Sequence, residues 1–130
     1  MTDEGARWQA GIAAYASQFR VPEDEVVEFM HSRFGERMTH VAIMASGAAW
    51  VDEVLTLRER SLIVVAALAA QGGVEGRLRP HVRWALDHGA TSDELEALAV
   101  LLAVYAGYPR ASAAMEVIRE VIGEYEPPTS

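Results

Sequence analysis

The sequence predicts an all-α domain of six or seven helices, and three observations carry that expectation. The chain is rich in Ala, Leu and Glu, which favour helices. No run alternates apolar and polar residues between turn signals, as a half-buried strand would. Glycines and prolines fall at intervals of about one helix length and divide the chain into segments. A single domain over residues 1–130 is expected, since domains run to on the order of 100–200 residues.

The elements follow in order. A first helix covers about residues 4–19. Pro22 opens a second, with Glu23, Asp24 and Glu25 at the positive end of its dipole. Gly35 separates that helix from a third over residues 36–49. Thr56-Leu57-Arg58-Glu59 has the form of a capping box and opens a fourth helix, which Gly72-Gly73 closes. Residues 63–70 are apolar on every side, which predicts that this helix is the buried centre of the fold. A fifth helix ends at Gly89 and must hold Pro80 in its first turn or kink there. Thr91-Ser92-Asp93-Glu94 is a second capping box, and its helix runs to Gly107. Pro109 opens the last helix, which reaches about Tyr125 before Pro127-Pro128 stop it.

Composition removes several classes of function. With 11 basic and 19 acidic residues the net charge is −8, so the chain repels phosphate backbones and nucleic acid is not an expected partner. The chain has no cysteine, which excludes disulfides, thiolate metal sites and thiol redox chemistry. His31, His40, His81 and His88 show no i, i+4 pairing with another His or with a carboxylate placed to share a metal, so no metal is expected. Gly72-Gly73-Val74-Glu75-Gly76 follows a helix rather than a strand, and reads as a helix stop rather than a phosphate cradle. No nucleophile elbow occurs. Residues 62–70 fall short of the roughly 20 needed to span a bilayer. The first ten residues carry acids and no long apolar run, unlike a secretory signal. No membrane association and a cytoplasmic location are therefore expected.

The fifth helix holds the most informative pattern. At about 100° per residue, Leu78, Val82, Ala85 and Leu86 form one apolar stripe, with His81 on its edge and pointing inward. Arg77, His81, Trp84 and His88 form a neighbouring row at i, i+4, i+7 and i+11. A cation, two imidazoles and an indole suit a planar anionic ligand; equally, long amphipathic side chains gather at the boundary of a buried face. Arg60 lies one turn before Ile63 and Val64 and needs a carboxylate, a helix end or a ligand, with Glu59 and Glu75 the internal candidates. Tyr105 follows Leu98 and Leu102 at helical spacing, which predicts a core ring whose hydroxyl needs a partner. Ile43, Met44, Met115 and Ile118 are apolar positions that a small domain would leave uncovered, so a homo-oligomer is expected.

Four segments together resemble a known family. They are Leu57-Arg58-Glu59-Arg60-Ser61-Leu62, Ala67-Leu68-Ala69-Ala70-Gln71-Gly72-Gly73, His81-Val82-Arg83 with His88-Gly89-Ala90-Thr91, and Leu102-Ala103-Val104-Tyr105-Ala106-Gly107-Tyr108-Pro109. Their order and spacing resemble the carboxymuconolactone decarboxylase family, most strongly over residues 55–121, with Trp50 where several members carry a tryptophan. The resemblance implies an alkylhydroperoxidase-D-like helical bundle that assembles as a trimer or hexamer. The peroxidase branch of that fold uses a CxxC pair ahead of a histidine; counting back from His81, those positions hold Val74 and Arg77. Where that branch tends to have glutamate, this chain has Ser61. The resemblance is therefore to the cysteine-free decarboxylase branch. It implies a cofactor-free lyase acting on a small anionic lactone, as in aromatic compound catabolism. In that scheme His81 is the general acid/base, its ordinary pKa of about 6.5 suiting a proton step. Tyr105 is the oxyanion donor. Arg60 and Arg77 anchor carboxylates, with Arg58 in reserve, and Ser61 and Trp84 complete the substrate pocket. The alternative is a non-catalytic helical oligomer that binds a metabolite or a protein partner. Convergence of Arg60, His81 and Tyr105 on one reachable pocket separates the two.

Overall fold

A computed structural model describes residues 3–129, in which every regular element is helical. In chain order these are α1 (Asp3–Phe19), a 3-10 turn (Glu23–Glu25), α2 (Val26–Trp50), α3 (Leu57–Gln71), α4 (Glu75–Asp87), α5 (Ser92–Tyr105) and α6 (Tyr108–Glu124). The break expected at Gly35 is present inside α2, where φ 79° and ψ 168° interrupt the helical path. Only glycine adopts that conformation readily, and it divides α2 into two arms. None of these helices is long and apolar enough to cross a membrane.

The chain divides into two compact units, with the boundary between Val54 and Leu55. The amino-terminal unit packs α1 on α2 around Ile12, Val26, Met30 and Ile43. The two backbones touch. A Cβ built on Gly11 would lie 2.0 Å from the Ile43 carbonyl oxygen, and one on Gly47 would lie 1.8 Å from that of Arg7. Hydrogen at these two positions is therefore a steric requirement of the crossing. Around it Tyr15 stacks on Phe19 at 5.5 Å, Phe19 meets Phe29 at 5.0 Å, and Ser46 Oγ donates to Tyr15 Oη at 3.0 Å.

The carboxy-terminal unit is built from α3 to α6. Both expected capping boxes form: Thr56 Oγ1 accepts from Glu59 N, and Thr91 Oγ1 from Glu94 N, each at 3.1 Å. The two glutamates reach back to the threonine amides, each at 2.9 Å. α4 continues through Pro80, which removes one backbone donor from its ladder. The core joins Val65 and Ala69 of α3, Leu78, Val82 and Ala85 of α4, Leu95 and Ala99 of α5, and Ala114, Val117, Ile118 and Val121 of α6. Fully burying a side chain such as Leu95 or Ile118 stabilises by about 1.5–3 kcal/mol.

Two expectations need correction. The apolar stretch of α3 is not enclosed on all sides: Val65 and Ala69 are buried, but Ile63 is 54% exposed. Uniform apolarity could not indicate which side has a neighbour. Second, the positions expected to be uncovered are not. Ile43 and Ile118 are fully buried, and Met44 and Met115 half-buried. The exposed apolar residues of the carboxy-terminal unit lie elsewhere: Val100, Leu101 and Val104 on α5 with Tyr105 at its end, and Leu55, Leu57, Ile63 and Tyr108 outside that helix.

Candidate functional site

The capping box at Thr56 sets where α3 begins, and so fixes the phase of Arg58, Arg60 and Ser61 in its first turns. Arg58 points to α5, where its Nε donates to Glu94 Oε1 at 3.1 Å and a terminal nitrogen donates to Oε2. The Arg58 hydrogen bonds, with the Thr91 amide second, hold the Glu94 carboxyl down at about 2. Glu94 reciprocally raises the Arg58 guanidinium above its ordinary value. Arg60 Nε donates to the Thr56 carbonyl at 3.4 Å, while the Glu59 side chain closes the cap.

Ser61 is the buried polar residue of α3, only 2% exposed. Its hydroxyl lies 2.6 Å from His88 Nδ1, across 27 residues of sequence. His88 caps α4 and is held at its backbone by bonds from its N–H to the Trp84 and Ala85 carbonyls. The buried Trp84 indole lies between two imidazoles, with centroids 4.8 Å from His88 and 6.1 Å from His81. Of the row expected along α4, His81, Trp84 and His88 therefore form a ring-to-ring series.

Electrostatics distinguishes the two histidines. Burial lowers His81 to about 4, so at neutral pH it is uncharged. The expectation of an ordinary imidazole fails at this position because helical phase carries no measure of desolvation. His88 is also lowered, first by burial; the Asp87 charge opposes this and the Arg60 guanidinium reinforces it. Arg60 is thus close enough to be felt at His88. Tyr125 Oη donates to Asp87 Oδ1 at 2.7 Å.

The structure brings together Arg60, Ser61, His81, Trp84 and His88. Arg77 is exposed in the first turn of α4. Tyr105 departs from expectation: its ring is 81% exposed rather than core. It is the last residue of α5, and the buried positions of that helix, Leu95 and Ala99, end more than a turn earlier. His88 as the partner of Ser61, and Glu94 as that of Arg58, were not recognised in the sequence. The row on α4 named His88, but no periodicity within α4 could reveal a partner on α3. Among the described residues no group of three or more His, Asp or Glu side chains could hold a metal ion.

The model of the carboxymuconolactone decarboxylase family matches residues 36–120, more than half of the chain. This protein belongs to that family. The matched stretch takes in all five clustered side chains. Together with the absence of cysteine it places the chain in the family's cysteine-free branch. A segment of 81 residues is 38% identical to 4-carboxymuconolactone decarboxylase of Acinetobacter baylyi, covering 62% of this chain and 60% of that protein. A segment of 103 residues is 28% identical to Peroxisomal protein 2 of Saccharomyces cerevisiae, covering 76% of this chain and 36% of that one. The chain thus spans less than two thirds of the length of either relative.

Proposed function

We propose that this family member is a cofactor-free decarboxylase acting on a small anionic lactone. The observation that carries the reading is the cluster of Arg60, Ser61, His81, Trp84 and His88 within the family-matched stretch. The similarity to a 4-carboxymuconolactone decarboxylase supports it. In a γ-carboxy-butenolide the bond to the carboxylate carbon breaks, carbon dioxide leaves, and the electron pair enters the conjugated lactone as a dienolate. A proton then adds to carbon. The substrate supplies its own electron sink, so the protein has only to seat the carboxylates, limit solvation and deliver the proton.

Each task has a matching residue. Arg60 offers a planar fork for a carboxylate. Trp84 offers a flat apolar wall. His81, neutral before binding, gains basicity when an anion arrives beside it, because a nearby negative charge favours imidazolium. Substrate binding thereby draws in the proton that the dienolate later takes. Ser61 orients His88 through Nδ1, leaving its other ring nitrogen as a second proton carrier. Tyr105, as an oxyanion donor, would have to act from the surface of α5. That surface, with Val100, Leu101 and the 76%-exposed Val104, is what we propose a second copy covers in a homo-oligomer.

The test measures turnover of 4-carboxymuconolactone and related butenolide carboxylates by the full chain, after sedimentation has given its mass. The expected outcome is a species above 14.2 kDa whose kcat falls at least about tenfold in His81→Ala and whose KM rises in Arg60→Gln. The exposure of Tyr105 favours a second reading, a metabolite-binding module without chemistry. Saturable binding of these lactones with no turnover would select it and end the enzymatic proposal.

A further inference from the structure

The amino-terminal unit has a cleft of about 610 Å³, within the size range of small-molecule sites. Six residues line it: Trp8, Val27, His31, Glu36, Arg37 and His40. The break at Gly35 shapes it, since His31 lies on one arm of α2 and Glu36, Arg37 and His40 on the other. Trp8 of α1 forms an aromatic wall with His40, their centroids 5.6 Å apart and their planes at 35°.

Two further observations indicate what the cleft would hold. Its lining carries one guanidinium and two imidazoles against a single carboxylate, in a chain whose net charge is −8. Arg58, Arg79 and Arg119 each meet a glutamate, whereas Arg37 enters no ion pair or hydrogen bond among the described residues, although Glu36 adjoins it. An arginine fork left open in a cleft that is also lined by an indole matches a flat ring bearing a carboxylate, which needs bidentate hydrogen bonds at one end and stacking at the other.

We propose that this cleft is a binding site for a planar aromatic carboxylate, separate from the cluster around His81. Arg37 takes the carboxylate, Trp8 and His40 take the ring, and Val27 provides apolar contact. Glu36 selects against dianions, because a second negative charge would face it.

The experiment titrates the full chain with 2-naphthoate and follows the indole N–H resonances of Trp8, Trp50 and Trp84, assigned with single Trp→Leu variants. Two control ligands dissect the recognition: 2-naphthamide lacks the charge, and cyclohexanecarboxylate lacks the aromatic ring. The expected result is a saturable shift of the Trp8 resonance by naphthoate, with both controls at least about tenfold weaker. Arg37→Gln weakens naphthoate by a similar factor at unchanged melting temperature, since Arg37 is exposed, and Arg60→Gln leaves the Trp8 shift intact. If Trp8→Leu, which removes a ring packed on the core, lowers the melting temperature, Arg37→Gln alone decides. The proposal is overturned by binding that survives Arg37→Gln, by a Trp8 shift lost in Arg60→Gln, or by no saturable shift up to about 10 mM, beyond which affinity signifies little.

Discussion

In the amino-terminal unit α1 and α2 touch backbone to backbone at Gly11 and Gly47, whereas in the carboxy-terminal unit Val65, Val82, Leu95 and Ile118 keep the helices a side chain apart. The first arrangement depends on atoms that are missing, the second on atoms that are present. A crossing built on hydrogen has no slack, because any added carbon meets a carbonyl. A core built on aliphatic side chains can repack, and it can also bury a polar group such as Ser61 once its hydroxyl is bonded to the half-buried His88. The clustered imidazoles thus lie in the unit held by side-chain packing, whereas the amino-terminal unit adds a fixed glycine crossing to its own core around Ile12, Val26, Met30 and Ile43.

The sharpest way to break this contrast is Gly47→Ala. Its Cβ would sit 1.8 Å from the Arg7 carbonyl oxygen, so α1 must move, and we expect a loss of about 3 kcal/mol or more in urea unfolding. Gly76→Ala, on α4 with nothing within 4 Å of its Cβ, should be neutral or stabilise by up to about 1 kcal/mol. Equal effects of the two would dissolve the distinction.

A smaller effect belongs to the carboxy-terminal unit alone. His81 binds its proton near pH 4 in the folded chain and near 6.5 when unfolded. Between those values the unfolded state takes up a proton that the folded state refuses, so stability is complete above about pH 6.5 and declines as pH falls towards 4. The loss should be on the order of 3 kcal/mol, and His81→Phe should flatten this part of the profile, as read by melting temperature against pH. A profile unchanged by the substitution would mean that the ring is well solvated.

The least effect is expected at the helix starts. Thr56→Ala and Thr91→Ala each remove one capping hydroxyl and should cost about 1 kcal/mol, leaving turnover within a factor of a few. Thermal melts of the two variants check this, and a loss of activity would tie the caps to the site directly.

Much of the fold could be read from local chemistry. Thr56, Thr91, Gly35, Gly72 and Pro109 act on their immediate neighbours, and each marks its boundary within a residue or two. The features that escaped depend on distant groups. Gly11 and Gly47 look like weak points in a helix until the opposing backbone is seen. Tyr105 has the right helical phase for the core, but phase gives a direction and not the length of the facing helix. Of the site, the row His81, Trp84 and His88 was legible because it lies along one helix. The bond to Ser61 and the lowered affinity of His81 for protons were not, since both arise from packing.

Glu94 has a double attachment. One carboxylate closes the first turn of α5 and also grips Arg58, which lies 36 residues earlier. Local winding and the long-range clasp between α3 and α5 therefore share one oxygen atom, Oε1. Loss of that one carboxylate would therefore remove both at once, the reciprocal half of the cap at the start of α5 and the clasp to α3.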